Sequence, residues 1–198
     1  MRYKSGHKEK TRQSIQDAAS RCFKSKGYSG IGVDGIAKAA GVTSGAFYSH
    51  FGSKDGAFDA ALALGLDEVI TAIPKFQVEH GVKWVNAFAD YYIGKAHRAD
   101  LAGGCAMAAL SPEVVRAGPD VHEVYEEKMK KIVGLIADGL MGKSETDTEG
   151  RAWAMLGILI GGLTITRAVK SAGLSEGIAK SIRNAAIEAA GEVKNCKV

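Results

Sequence analysis

Histidine, cysteine and hydroxyl side chains are the groups in this chain of 198 residues whose types suit chemistry, and their spacing decides which kind. His7, His50, His80, His97 and His122 stand at no ligand-like interval from one another or from Cys22, Cys105 and Cys196, so no metal site is expected. Nucleophile elbows, phosphate loops and zinc-protease motifs are missing as well, and neither a catalytic residue nor a cofactor is expected. Gly30, Gly32 and Gly35 satisfy a dinucleotide-binding spacing, but that fingerprint needs a preceding strand, and a helical segment precedes it here. Those glycines read as a loop feeding a helix. Cys22 falls on an amphipathic stripe and reads as a small core residue. Cys105 follows Gly103-Gly104 at the start of a helical run, where unpaired N–H groups favour a thiolate; sensing of oxidants or electrophiles therefore stands beside plain packing.

The densest run of contact-making groups is Thr43 to Lys54. In a helix Phe47 and Phe51 pack inward, which turns Ser44, Gly45, Tyr48 and Ser49 outward, and small residues on that face allow close approach to a base edge or a phosphate. Just before them Val33, Ile36, Ala37 and Ala40 recur at helical spacing, and Gly41-Val42-Thr43 supplies a glycine exit, an apolar plug and a hydroxyl N-cap. Two short helices joined by a tight turn make a helix-turn-helix. A helix over Thr11 to Lys26, with Ile15, Ala18, Ala19, Cys22 and Phe23 on one face, should clamp the pair, and the polar, basic stretch Met1 to Lys10 reads as a flexible arm. Charge follows the motif: residues 1–54 hold 10 Lys/Arg against 3 Asp/Glu, whereas residues 55–198 hold 16 against 19. A basic front on a mildly acidic body suits phosphate binding.

The run Gly27 to Lys54, GYSGIGVDGIAKAAGVTSGAFYSHFGSK, resembles the N-terminal DNA-binding domain of the TetR family of bacterial transcriptional regulators, because its Ile-Ala, Ala-Gly-Val, Phe-Tyr, His-Phe and Ser-Lys pairs fall in order without gaps. The resemblance implies that Ser44, Gly45, Tyr48 and His50 touch DNA and that Lys54 meets a phosphate; Thr43, Ala46 and Ser49 complete the expected DNA-binding set. Gly32 departs from the hydroxyl residue usual at its position, and Gly35 from a polar one. Gly104-Cys105 further resembles a subset of the family with a glycine-cysteine at the start of the sixth helix, including NemR-like and LmrA/YxaF-like members. In that subset the cysteine senses electrophiles and oxidants, or aromatic ligands bind. The lysine that assists such a cysteine in NemR is Arg167 in this chain.

The remaining elements must position and switch that motif. Ser53 and Asp55 suit the start of a fourth helix that carries Phe58, Leu62, Leu66 and Ile70 and ends at Pro74. Further helices are expected near residues 80–98, 104–117, 120–141, 148–172 and 175–194, with a break near Leu110 to Ser111 ahead of Pro112. Trp84, Phe88, Tyr91 and Tyr92 form an aromatic stripe that either lines an effector pocket with Cys105, Met107, Met129 and Trp153 or packs as core. Trp153 through Ile165 is apolar nearly all round, and Ile178, Ile182, Ala186, Ala189 and Val193 give the last helix its own stripe. The resemblance implies that these two helices pair with their copies in a homodimer, with Gly157, Ile160, Gly161, Ile178, Ile182 and Ala186 at the interface.

The expectation is thus an all-α protein of about nine helices, with a helix-turn-helix domain over 1–54 and an effector-binding and dimerisation domain over 55–198. Its expected partners are double-stranded operator DNA, a second copy and a small-molecule effector. No long apolar span and no signal-peptide pattern is present, which with scattered cysteines points to the cytoplasm. The function expected is a sequence-specific regulator, a repressor relieved by a small molecule or a thiol-reactive signal. Its alternatives are a helical ligand-binding or redox enzyme with an incidental helix-turn-helix, and a non-specific structural DNA binder.

Overall fold

The computed structural model describes residues 5–194, so Cys196 and the first four residues of the expected arm lie outside the described residues. The chain forms α1 (Ser5–Lys26), α2 (Val33–Ala40), α3 (Ser44–Phe51), α4 (Lys54–His80), a 3-10 turn (Gly81–Lys83), α5 (Trp84–Tyr92), α6 (Lys95–Ala99), α7 (Ala106–Val114), α8 (Pro119–Asp138), α9 (Glu145–Ala168) and α10 (Ala172–Ala190). The only extended pairing among the described residues is an isolated antiparallel bridge, Leu140 with Val193.

Four boundaries differ from the expected ones, each for a local reason. The first helix begins at Ser5 and takes in part of the stretch expected as a flexible arm, where Thr11 Oγ1 donates to the His7 carbonyl 2.9 Å away. Helix α4 runs through Pro74 to His80: Leu66 and Ile73 ahead of the proline are fully buried and the Phe76 ring beyond it meets that of Phe88 edge-on at 5.4 Å, so packing outweighs the one amide that proline removes. Its end is set by Gly81, at φ +51°. The region expected as one helix over 80–98 is three pieces. At the second break a Cβ on Gly94 would stand 2.6 Å from the Asp90 carbonyl oxygen, so only glycine lets the chain fold back there. Helix α7 is unbroken at Pro112: Ser111 donates to the Met107 carbonyl, and the Val115 N–H donates to the Ser111 carbonyl at 3.1 Å.

Packing groups the chain into two compact units, residues 1–65 with 101–125, and residues 66–100 with 126–198. In the first, Ile15, Ala19, Phe23, Ile36, Phe47, Ala57 and Leu62 are buried from α1 to α4, and Phe23, Tyr28 and Phe58 form a ring cluster with centroids 5.4–5.9 Å apart. Residues 101–125 join it through Glu113, whose carboxylate accepts from the Tyr28 N–H at 3.1 Å, and through Ala106, which sits where a side chain on Gly65 would have to go. The second unit centres on Trp84, Phe88, Ile132, Ile136, Met155, Leu159 and Leu163. There Gly162 of α9 lies against Ile182 of α10, and a Cβ on that glycine would overlap the isoleucine.

Candidate nucleic-acid interface

The turn between α2 and α3 is built as its residue types dictate. Gly41 takes φ +70°, its N–H reaches the Lys38 carbonyl at 3.1 Å, and the Val42 N–H reaches the Ala37 carbonyl at 3.0 Å, closing a Schellman motif. Thr43 then caps α3, its Oγ1 accepting from the Ala46 N–H at 3.2 Å. Phe47 is fully buried and its ring lies 5.9 Å from that of Phe51, so the opposite face of α3 carries Gly45, Tyr48 and Ser49 exposed, with Tyr48 at 52%. Ser53 caps α4 by accepting from the Gly56 N–H at 3.0 Å.

Three polar residues of α1 hold this arrangement by donating to backbone carbonyls of the other three helices, α2, α3 and α4. Arg12 donates to the His50 carbonyl at 2.8 Å and lies over the Phe51 ring, 4.6 Å from its centre. Ser14 donates to the Ala40 carbonyl at 3.3 Å, and Gln16 to the Ala60 carbonyl at 2.9 Å. Sequence reasoning missed all three because it followed the apolar stripe and passed over its polar flanks. It also missed Asp34, whose Oδ1 accepts from Ser44 Oγ at 2.6 Å. The signal that could have found Arg12 is its place one turn ahead of Ile15 and Gln16, at the margin of the buried face.

The expected contact residues are therefore together on one helix and its flanks, with distinct surroundings. Ser44 is half-buried against Asp34, Ser49 Oγ donates to the Ala46 carbonyl at 2.9 Å, and the His50 side chain is half-buried. Lys54 stands at the first position of α4 with its Nζ 4.1 Å from the centre of the Tyr28 ring. Beneath it the Tyr28 hydroxyl donates to Asp55, which pushes the phenol up to about 12 through that hydrogen bond first and partial burial second. Asp59 is held above the ordinary carboxylate value by burial and by the charges of Asp55 and Asp120. Gly30 and Gly32 ahead of α2 and Gly35 in its first turn are explained without a nucleotide. A Cβ on Gly30 would collide with the Lys26 carbonyl, and one on Gly35 with Ile31, while Gly32 caps α2 through its backbone alone.

Residues 15–61 match the family model described as bacterial regulatory proteins, tetR family. Over that segment the chain is similar to the DNA-binding domain of the TetR family. Among its relatives, the HTH-type transcriptional regulator AcrR of Shigella flexneri is 50% identical over 50 residues, 25% of this chain and 23% of that protein. The HTH-type transcriptional repressor AcnR of Corynebacterium glutamicum is 42% identical over 48 residues, 24% of this chain and 26% of that protein. This chain thus spans about a quarter of the length of such curated relatives. The HTH-type transcriptional repressor DhaR of Mycobacterium sp. aligns further, at 28% identity over 133 residues, 65% of this chain and 66% of that one. In fold, the reduced form of E. coli NemR superposes with a TM-score of 0.73 at 18% identity, covering 95% of this chain and 99% of that one. A TetR regulator from Chloroflexus aurantiacus gives 0.72 at 21%, covering 96% and 100%.

The other expected TetR-family sites are in the second unit and in α7. Trp84, Phe88, Tyr92 and Met129 are buried, but Tyr91 is 59% exposed and Trp153 46% exposed, so neither is enclosed within the chain. Tyr91 is one position off the face shared by Trp84, Phe88 and Tyr92, and Trp153 is on the outer face of a helix that is apolar on two sides. Cys105 and Met107 are buried at the start of α7, Cys105 as its N-cap. None of the eight lines the cavity of about 420 Å³ beside Tyr28, Asp59 and Glu113 or the groove of about 740 Å³ beside Lys95, Arg98 and Lys180. Arg167, at the position of the assisting lysine, donates to the carbonyls of His97, Arg98 and Asp100. Of the residues expected at a TetR-family dimer interface, Gly157 and Gly161 are exposed, with no atom of the chain within 4 Å of where a Cβ would stand. Ile160, Ile178 and Ile182 are half-buried, and Ala186 is buried. No helix is long and apolar enough to cross a membrane, and no group of three or more His, Cys, Asp or Glu is placed to hold a metal ion, among the described residues.

Proposed function

We propose that this chain is a sequence-specific DNA-binding regulator, a repressor released from its operator by a small molecule. The carrying observation is the recognition face of α3. Its cap, its buried phenylalanine and the α1 clamp fix Ser44, Gly45, Ala46, Tyr48 and Ser49 at the surface of the most basic part of the chain. Thr43, His50 and Lys54 flank that face and suit phosphate contact, which positions a protein on DNA while base edges supply specificity. That AcrR is a transcriptional regulator and AcnR and DhaR are transcriptional repressors is in keeping with this reading. The working division is residues 1–54 for DNA and 55–198 for effector and dimerisation, with the protein acting as a regulator in the cytoplasm and not as an enzyme.

The stripe of Trp153, Gly157, Gly161 and Ile165 on α9 supports a homodimer, because it is apolar, open and lacks side chains that would hold a second helix away. Two copies would then meet half-sites spaced by about 34–36 Å or a multiple. Burial of Cys105 supports a small-molecule signal over a thiol-reactive one. A ligand releases DNA only if it binds the DNA-incompetent arrangement more tightly. Fluorescence anisotropy on the duplex upstream of the coding sequence tests the reading, with an unrelated duplex as control. Salt-sensitive binding that prefers the upstream duplex is expected, and equal binding to both duplexes would replace the regulator with a structural DNA binder. Adding a thiol electrophile to wild type and to Cys105→Ser should leave both bound; loss in wild type alone would make Cys105 the sensor.

A further inference from the structure

The Asp34 carboxylate decides which hydrogen-bonding groups Ser44 can offer to DNA. A serine hydroxyl has one proton to donate and two lone pairs to accept with. A carboxylate oxygen has no proton to give, so in the contact of 2.6 Å between Ser44 Oγ and Asp34 Oδ1 the serine must be the donor. Its proton is spent on the protein, and what remains at the first position of α3 is an acceptor. Ser49 repeats the pattern in a weaker form, since its hydroxyl donates to the Ala46 carbonyl at 2.9 Å. Between them Gly45, Ala46 and the buried Phe47 offer no polar side-chain atom and the exposed Tyr48 a single hydroxyl, and no Lys or Arg occurs from Ala39 to Ser53. The usual bidentate donor for guanine O6 and N7 is therefore missing from this helix.

Resting on the reading of α3 as the recognition helix, we infer that Asp34 is a specificity-determining positioning residue that makes Ser44 an obligate acceptor, so that Ser44 selects a base-edge amino group. In the major groove the amino donors are adenine N6 and cytosine N4, whereas guanine and thymine present only acceptors at the corresponding edge. One position of each half-site should then take A or C on the strand that faces Ser44, and reject G or T. Asp34 touches no base in this scheme. It acts from the first turn of α2, where it is exposed and supports none of the buried core, so its replacement leaves the fold intact.

Selection of binding sites from a pool of randomised duplexes, with the full-length protein at fixed salt, tests this. Wild type, Asp34→Ala, Asp34→Asn, Ser44→Ala and the double variant Asp34→Ala/Ser44→Ala are compared. Wild type should show one half-site position at which A and C are preferred over G and T by about tenfold, the size of a single lost base contact. Asp34→Ala frees the Ser44 proton, and the preference should fall to about twofold or less. Asp34→Asn keeps an acceptor oxygen for Ser44 and should restore it. Ser44→Ala should erase the preference at that position alone, and adding Asp34→Ala to it should change nothing further there. A position profile unchanged by Asp34→Ala, or a Ser44-dependent preference for G or T, overturns the inference while leaving the regulator reading intact. Recovery of no preferred sequence at all by wild type overturns both.

Discussion

Tyr28 shows how far a single surface residue can be pushed by one neighbour. Its phenol is raised from 10.0 to about 12 mainly by donating to Asp55, so the fold favours the neutral form. A group raised in this way contributes stability that is fully present below its unfolded value and is lost as pH climbs through the folded one. The window is therefore pH 10 to 12. The urea midpoint of wild type should fall between about pH 9 and about pH 11, and that of Tyr28→Phe should fall less over the same interval. Asp90 has the opposite sign, its carboxyl lowered by the hydrogen bond from Arg183. That stabilisation is present above the ordinary carboxylate value of 3.8 and fades as pH drops through the lower folded value. As the pair is partly exposed, Asp90→Asn should cost no more than about 1 kcal/mol near neutral pH and nothing in strong acid, measured by denaturation. Arg12 is the residue of this scale that matters most to the proposed interface. Arg12→Ala removes a charged hydrogen bond and a ring contact at the end of α3, and should lower stability by about 1–2 kcal/mol in urea denaturation, with Arg12→Lys recovering part of it.

Two glycines on α9, five residues apart, make opposite forecasts at the scale of helices. Gly162 abuts Ile182, so Gly162→Ala forces α9 and α10 apart and should cost about 1–3 kcal/mol by thermal or urea denaturation. Gly157 faces open space within the chain, so Gly157→Ala meets no clash there and gains helix propensity, by roughly 0.5–1 kcal/mol. Gly157→Arg should leave helicity unchanged and shift sedimentation from dimer to monomer; a dimer that survives it would remove this stripe from the interface. These helices also show what periodicity can deliver. The turn from Gly41 to Thr43, the burial of Phe47 and the cap at Ser53 were legible because each depends on a residue type acting on its immediate neighbours. The continuity of α4 at Pro74 and of α7 at Pro112 was not, because burial of residues distant in sequence decides it. Asp34 and Arg12 were hidden for a similar reason: each bonds across a turn or between helices, and no spacing rule marks a hydroxyl or carbonyl so far along the chain.

At the scale of the molecule, charge and chain order govern behaviour. The excess of Lys and Arg over Asp and Glu in residues 1–54 predicts a steep salt dependence. If a protein dimer neutralises six to ten phosphates, its affinity should drop by about 10³–10⁵ between about 50 and 200 mM salt, read by anisotropy as a linear log–log slope. A flat slope would count against DNA as the partner. The all-helical class was legible from the sequence, yet the grouping of residues 101–125 with residues 1–65 was not, since it depends on Glu113 reaching Tyr28 and on Ala106 fitting the notch at Gly65. That grouping carries a consequence for synthesis on the ribosome. A nascent chain that has released only its first 65 residues still lacks α7, and the Tyr28 amide and the side of α4 at Gly65 remain in water until α7 has left the exit tunnel. The helix-turn-helix is made first but its unit is completed late, and a fragment cut after the last DNA-facing residue should be harder to fold than the whole chain.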